Sequence, residues 1–113
     1  MKLPNATHAV ADIRKLRHYC LDPANPKGRD KARVFSAALG LTQADAEFLR
    51  RAVLVAARQE PAVTGEADDY GRRYTIDFIL TTAAGRARVR TGWIVLEHDK
   101  FPRLTTCFVL KSK

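Results

Sequence analysis

The sequence predicts an α+β fold: about three N-terminal helices packed on one face of an antiparallel sheet of three to four strands, connected as a meander. Three observations carry this expectation. Apolar residues recur at helical spacing up to Pro61. From Arg73 onward the pattern changes to strict alternation, and short turns with glycine or proline separate the alternating runs. At 113 residues the chain makes one domain, 1–113, large enough to bury a core without disulfide or metal staples.

Asp12 can cap a first helix in which Ile13, Leu16, Tyr19 and Cys20 fall on one side. Two prolines and Gly28 then predict a loop over 21–28. A second helix runs from about Asp30 to Leu39, with Val34, Phe35, Ala38 and Leu39 apolar, and Gly40 closes it. Thr42 with Asp45 forms a capping box for a third helix reaching about Arg58. Its stripe is Ala46, Leu49, Val53 and Ala56, with Phe48 and Ala52 beside it. The polar run 64–71 reads as a loop, with Val63 a candidate for a further short strand.

Three strands follow: Arg73–Leu80, Arg86 to about Leu96, and Leu104–Leu110. The first two join through Thr82-Ala83-Ala84-Gly85, the last two through His98-Asp99-Lys100-Phe101-Pro102. Alternation puts Tyr74, Ile76, Phe78 and Leu80 on the core face of the first strand, opposite Arg73, Thr75 and Asp77. In the second, Ala87, Val89, Thr91, Trp93 and Val95 face the core while Arg86, Arg88 and Arg90 face outward. In the third, Thr105 and Cys107 are expected outward, alternating with Leu104, Thr106 and Phe108. Arginines two residues apart on one face repel, unless an anion or Asp77 lies among them.

The net charge of +8 is unevenly distributed. Residues 14–34 and 85–113 each carry seven cations and two acids, whereas 35–84 carries five cations and seven acids. Two basic blocks around an acidic middle predict a basic surface assembled by the fold, for which a polyanion such as nucleic acid is the natural partner. The longest apolar stretches are far short of the roughly 20 residues a membrane span needs, so no membrane partner is expected. No apolar signal core follows Met1, which predicts a cytoplasmic chain. Cys20 and Cys107 lack metal-ligand or redox spacing and read as buried reduced thiols.

The densest cluster of cations is Pro26-Lys27-Gly28-Arg29-Asp30-Lys31-Ala32-Arg33-Val34-Phe35. A helix N-terminus attracts anions, and a glycine there lets backbone approach a ligand closely. Lys27, Arg29 and Arg33, with Arg73 and Arg88 from the sheet, are the candidate nucleic-acid contacts. Lys31 precedes Val34 and Phe35 by three and four residues, which turns it toward the core side of its helix, where helix meets sheet. Asp30, Arg33 and Ala37 share the outward side. His8, His18 and His98 are scattered, and no metal-ligand spacing, Gly-x-Ser-x-Gly or phosphate-loop motif is present. Neither metal nor cofactor is expected.

Several segments carry a resemblance: Leu3-Pro4-Asn5, 15–21, 28–35, 70–74 and 101–108 resemble an uncharacterised bacterial domain family over nearly the whole chain. More remotely, Lys31-Ala32-Arg33-Val34-Phe35 and Pro102-Arg103-Leu104-Thr105-Thr106 resemble the barnase/EndoU/colicin/RelE-like ribonuclease group. That resemblance implies a metal-independent endoribonuclease toxin, often paired with a small acidic antitoxin or immunity protein. It maps the helix-start cation onto Lys31 and the final-strand base and hydroxyls onto Arg103, Thr105 and Thr106. Asn25 and Asp30 stand where the group often has histidines. Cleavage by the RNA's own 2′-hydroxyl needs a base, cations on the phosphorane and an acid for the leaving oxygen. The candidates are Lys31 as base or charge stabiliser, Arg88, Arg90 and Arg103 on the phosphate, and Thr105 or Tyr74 to orient it. Tyr74 shares the core-face parity and is expected to pack. The alternatives are a non-catalytic nucleic-acid-binding module and an interaction domain that meets an acidic protein.

Overall fold

A computed structural model describes residues 1–110. A short 3-10 turn, Ala6–His8, precedes the first helix, α1 (Ile13–Lys15). Asp12 caps it by accepting from the Arg14 amide at 2.9 Å. Helix α1 widens directly into a π-helical turn, Leu16–Cys20, which buries Leu16 and Cys20. Helix α2 (Arg29–Leu39) ends at Gly40, whose φ of 66° is the left-handed value that glycine adopts without penalty. The reciprocal Thr42/Asp45 capping box forms as expected, opening a 3-10 turn (Gln43–Asp45) into α3 (Ala46–Gln59).

Four strands make one antiparallel sheet in sequence order: β1 (Val63–Ala67), β2 (Gly71–Thr82), β3 (Gly85–Leu96) and β4 (Arg103–Val109). This is the α+β meander that the periodicities predict. The segment expected to be a loop from Thr64 is instead β1, pairing Val63 with Thr75 and Thr64 with Tyr74. Its residues are all exposed, so no burial pattern marks it in the sequence. β2 and β3 pair continuously from Gly71↔Leu96 to Thr82↔Gly85, joined by a two-residue hairpin loop. Val10 extends the β4 edge through a parallel bridge to Arg103.

The helices cover one sheet face. Phe35, Leu39, Leu49 and Val53 pack there against Ile76, Val89 and Trp93, all essentially inaccessible. Among the described residues Thr91 is the one polar residue buried in this core, and its hydroxyl is satisfied twice. It donates to the Ile76 carbonyl at 2.8 Å and accepts from Trp93 Nε1 at 2.8 Å.

The outward assignment of β4 holds only in part. Trp93 pairs with Leu104 but Gly92 pairs with Thr106, so Thr105 is the extra residue of a β-bulge. One inserted residue reverses the parity of everything after it. Cys107 and Val109 therefore enter the core opposite Thr91 and Val89, whereas Phe108 comes to the outer face opposite Arg90.

Candidate nucleic-acid interface

Alternation on β2 and β3 sets out the side chains of the outer sheet face in rows. Ile79 lies across from Arg88, Asp77 across from Arg90, Thr75 across from Gly92, and Arg73 across from Ile94. β4 adds Phe108 beside Arg90, Thr106 beside Gly92 and Arg103 beside Ile94. The Thr105 hydroxyl stands over Gly92, within 3.0 Å of where a Cβ would be. Arg88, Arg90 and Thr105 thus share one surface, as the sequence predicts.

These arginines differ in what already holds them. Arg90 grips Asp77 with two parallel hydrogen bonds, Nε to Oδ1 and Nη2 to Oδ2, each 2.9 Å. That bidentate pairing raises the guanidinium pKa further. Arg103 is held by Asp99 at 2.7 Å, and Arg73 lies 3.8 Å from Asp68. The Asp99 carboxyl is lowered chiefly by the Phe101 amide, with Arg103 adding to it. Arg86 and Arg88, by contrast, are exposed and have no carboxylate partner among the described residues.

Arg86 and Arg88 line a groove of about 960 Å³ that runs between the hairpin end of the sheet and helix α2, with Val34, Ala38 and Val109 on its walls. Lys31 lies one turn before Val34 on the same side of α2, half-buried, as its helical phase predicts. Its ammonium donates to Tyr19 Oη at 3.1 Å and lies 5.2 Å from the Tyr19 ring centre and 5.9 Å from that of Phe108. Phe108 thus stands between Lys31 and Arg90. Lys15 approaches the same edge, with Nζ 3.5 Å from the Thr105 carbonyl. Burial pushes the neighbouring Cys20 thiol up to about 11, against the opposing pull of a Cys107 backbone hydrogen bond, Lys31 and Lys15. Cys107 is raised further by its complete burial.

Two expectations for the decapeptide 26–35 are corrected. Gly28 makes its close approach to the protein itself: a Cβ there would lie 1.9 Å from the Tyr19 carbonyl oxygen. The amides expected to meet an anion are occupied, since Asn25 Oδ1 accepts from the Lys27 and Gly28 amides at 2.9 and 3.1 Å. The Asn25 carbonyl accepts from the Arg29 amide at 2.9 Å. Asn25 Nδ2 in turn donates to the His18 carbonyl at 2.8 Å, fastening the loop to the π-helical turn. The second correction concerns convergence with the sheet arginines; Arg33 is on the side of α2 away from Lys31, as its helical phase predicts. Arg29 and Arg33 face a different groove, beside Leu21 and Thr42, because residues two positions either side of Lys31 point to the opposite side of the helix. Arg33 also lies 3.8 Å from Asp30. Lys27 is exposed on the loop before them.

Of the candidate catalytic residues, Lys31, Arg90 and Thr105 occupy one edge of the molecule; Arg103 shares a groove with Thr105 and Lys15 but stands away from Arg90. It sits opposite Ile94, four residues and about 13 Å along β3 from Arg90. Tyr74 is buried in the core. Tyr19, Phe108 and Arg86 are the residues that sequence reasoning missed. Arg86 shares the outward parity of Arg88, so its signal was visible. Tyr19 read as one more apolar residue of a helical stripe, and Phe108 was misassigned through the bulge. Lys111 and Lys113 of the second basic block lie outside the described residues. Among those residues no three potential metal ligands converge, and no helix is long and apolar enough to cross a membrane.

Fold and site together define a small α+β domain with a cationic groove at one end of its sheet. The chain belongs to the family described as Domain of unknown function (DUF6883), which it matches over residues 2–111. No curated protein matches it.

Proposed function

We propose that this domain binds RNA along the groove between α2 and the hairpin end of the sheet. The observation that carries the reading is the pair Arg86 and Arg88, exposed on that groove without carboxylate partners, beside the Lys31–Tyr19–Phe108 edge. Unpaired guanidiniums release condensed counterions when they meet phosphates, and that release drives binding. Phe108 and Tyr19 supply ring faces on which an unpaired base can stack. An acidic protein, such as an antitoxin-like partner, would compete for the same cations.

The test is fluorescence anisotropy of a labelled single-stranded RNA across a salt series. Arg86→Ala and Arg88→Ala should each flatten the slope of log K against log salt by about 0.7, the value for one phosphate contact on a single strand. Arg103→Ala should leave it almost unchanged, because Asp99 already holds that side chain. No binding at low salt, or equal effects from all three variants, overturns the assignment.

A second reading, metal-independent cleavage, is favoured by one contact: Lys31 Nζ lies 3.1 Å from Tyr19 Oη. A lysine ammonium beside a phenol can stabilise the phosphorane while the phenol protonates the leaving 5′ oxygen. The RNA's 2′-hydroxyl gives its proton to a solvent water as its oxygen attacks phosphorus, and the P–O5′ bond breaks to leave a 2′,3′-cyclic phosphate and, with the Tyr19 proton, a 5′-hydroxyl; that water then returns a proton to the phenolate. The likeness of 31–35 and 102–106 to the ribonuclease group points the same way. Incubation with RNA in EDTA decides it. Cleavage that Lys31→Ala and Tyr19→Phe abolish, with RNA binding retained by Tyr19→Phe, supports an enzyme. Binding without cleavage by the natural sequence leaves a binding module.

A further inference from the structure

β2 is longer than the strand that covers it. β1 pairs with β2 only as far as Thr75, so from Ile76 to Thr82 the β2 edge meets no neighbouring strand, and no backbone hydrogen bond reaches it among the described residues. A bare edge of this length is a template for another strand. Beside it runs an apolar groove of about 560 Å³ between β2 and α3. α3 carries a second stripe there, Phe48, Ala52 and Val55, in addition to the one it buries in the core. Phe48 is 42%, Val55 40% and Ile79 47% exposed.

We infer that this edge is the self-association surface of the domain: two copies pair antiparallel through β2 and continue the sheet across a two-fold axis near Ile79. The choice of a second copy rests on the charges that line the groove. Arg51 on α3 and Glu60, the extended residue that ends it, lie at equal sequence distances from the Val55–Ala56 step, and these residues line the groove together with Ile79. The axis that centres the strands on Ile79 therefore also sets α3 antiparallel to its copy, with Arg51 of each facing Glu60 of the other. On the outer face the same axis places Asp77 opposite Thr81, so no like charges meet. A C2 interface must be self-complementary in this way: Phe48 and Val55 meet their copies on the helix side of the joined sheet, and Ile79 meets its copy on the outer face.

Association should be measured by analytical ultracentrifugation from low to high micromolar concentration, in low and high salt. A concentration-dependent dimer is expected. It should strengthen with salt, because each chain carries +8 and screening relieves that repulsion. RNA binding has the opposite salt dependence, so a salt series tells the two assignments apart even though Ile79 borders both grooves. Ile79→Lys, an exposed position, should yield a monomer with an unchanged circular dichroism spectrum. Arg51→Glu should weaken association about tenfold, by turning two ion pairs into two repulsions, and Glu60→Arg in the same chain should restore it. A chain that remains monomeric at high concentration, or a dimer insensitive to Ile79→Lys, overturns the inference. Failure of the charge swap to rescue does so too.

Discussion

Asp77→Asn should weaken the fold and strengthen RNA binding, and the opposite signs make it the most informative single change. Asp77 holds Arg90 by two 2.9 Å hydrogen bonds across β2 and β3, with side-chain exposures of 28% and 43%. A pair so exposed contributes about 0.5–1 kcal/mol after screening. With an unfolding entropy near 2.1 cal/mol/K per residue, a chain of 113 residues loses about 4 °C of melting temperature per kcal/mol, so a fall of about 2–4 °C is expected. The released guanidinium lies at the next outward position from Arg88 on the same strand face. One further phosphate contact steepens the salt slope by about 0.7, so a tenfold drop in salt should tighten the variant about fivefold more than the natural protein. Thermal melts by circular dichroism and anisotropy with single-stranded RNA read the two arms. Arg90→Ala in the Asp77→Asn background should cancel the affinity gain. A folded Asp77→Asn protein whose salt slope is unchanged or flatter would show that the outer sheet face lies outside the interface.

Three further outcomes follow from the core and the termini of the helices. Thr91→Val leaves the Trp93 indole N–H buried without an acceptor, a loss of about 2 kcal/mol or roughly 8 °C. Thr91→Ser should keep most of that, and emission from Trp93, the sole tryptophan, reports the change directly. Gly28→Ala drives a methyl group to 1.9 Å from the Tyr19 carbonyl oxygen. It should cost about 3 kcal/mol and lower the melting temperature by roughly 12 °C. Denaturation across pH should show a plateau with two flanks. Asp12, held at about 2 mainly by its Arg14 hydrogen bond, sits below its unfolded value near 3.9, so its contribution persists above about pH 4 and fades as pH falls toward 2. Cys20, raised to about 11, contributes stability that is intact below about pH 8.5 and is lost as pH rises toward 11, with Cys107 acting in the same direction. A flat profile above pH 9, or rapid alkylation of either thiol at neutral pH, would contradict their burial.

What the sequence discloses depends on how local the determinant is. Capping residues, the Gly40 terminator and the core stripes of α2 and α3 act within a few positions of one another, and each is where the pattern places it. β1 escapes because an exposed edge strand needs no alternation and contains a glycine. The bulge at Thr105 escapes because nothing local distinguishes an inserted residue from an ordinary one; only pairing with Trp93 and Gly92 reveals it. That single step moved Phe108 from the expected core to the Lys31 edge and Cys107 in the other direction. The Asn25 cap and the Gly28–Tyr19 contact join segments on either side of a loop, so local composition suggested a ligand where the chain meets itself.

The same distinction governs the charge. A formal +8 counts every cation equally, yet on the outer sheet face Arg73, Arg90 and Arg103 each have an aspartate within 3.8, 2.9 and 2.7 Å. A guanidinium that already holds a carboxylate must break that ion pair to neutralise a phosphate, so moving it exchanges one anion for another and gains little. Binding energy should therefore concentrate where pairing stops, at Arg86 and Arg88 beside the hairpin. Asp77 and Arg90 form the last ion pair before that point. The surface is thus divided along β3, neutralised at the end near β4's first residues and open at the end near α2. A bound strand would enter from the open end and run along α2 toward Lys31, Tyr19 and Phe108. Cross-linking should accordingly map to that edge and spare Arg73 and Arg103.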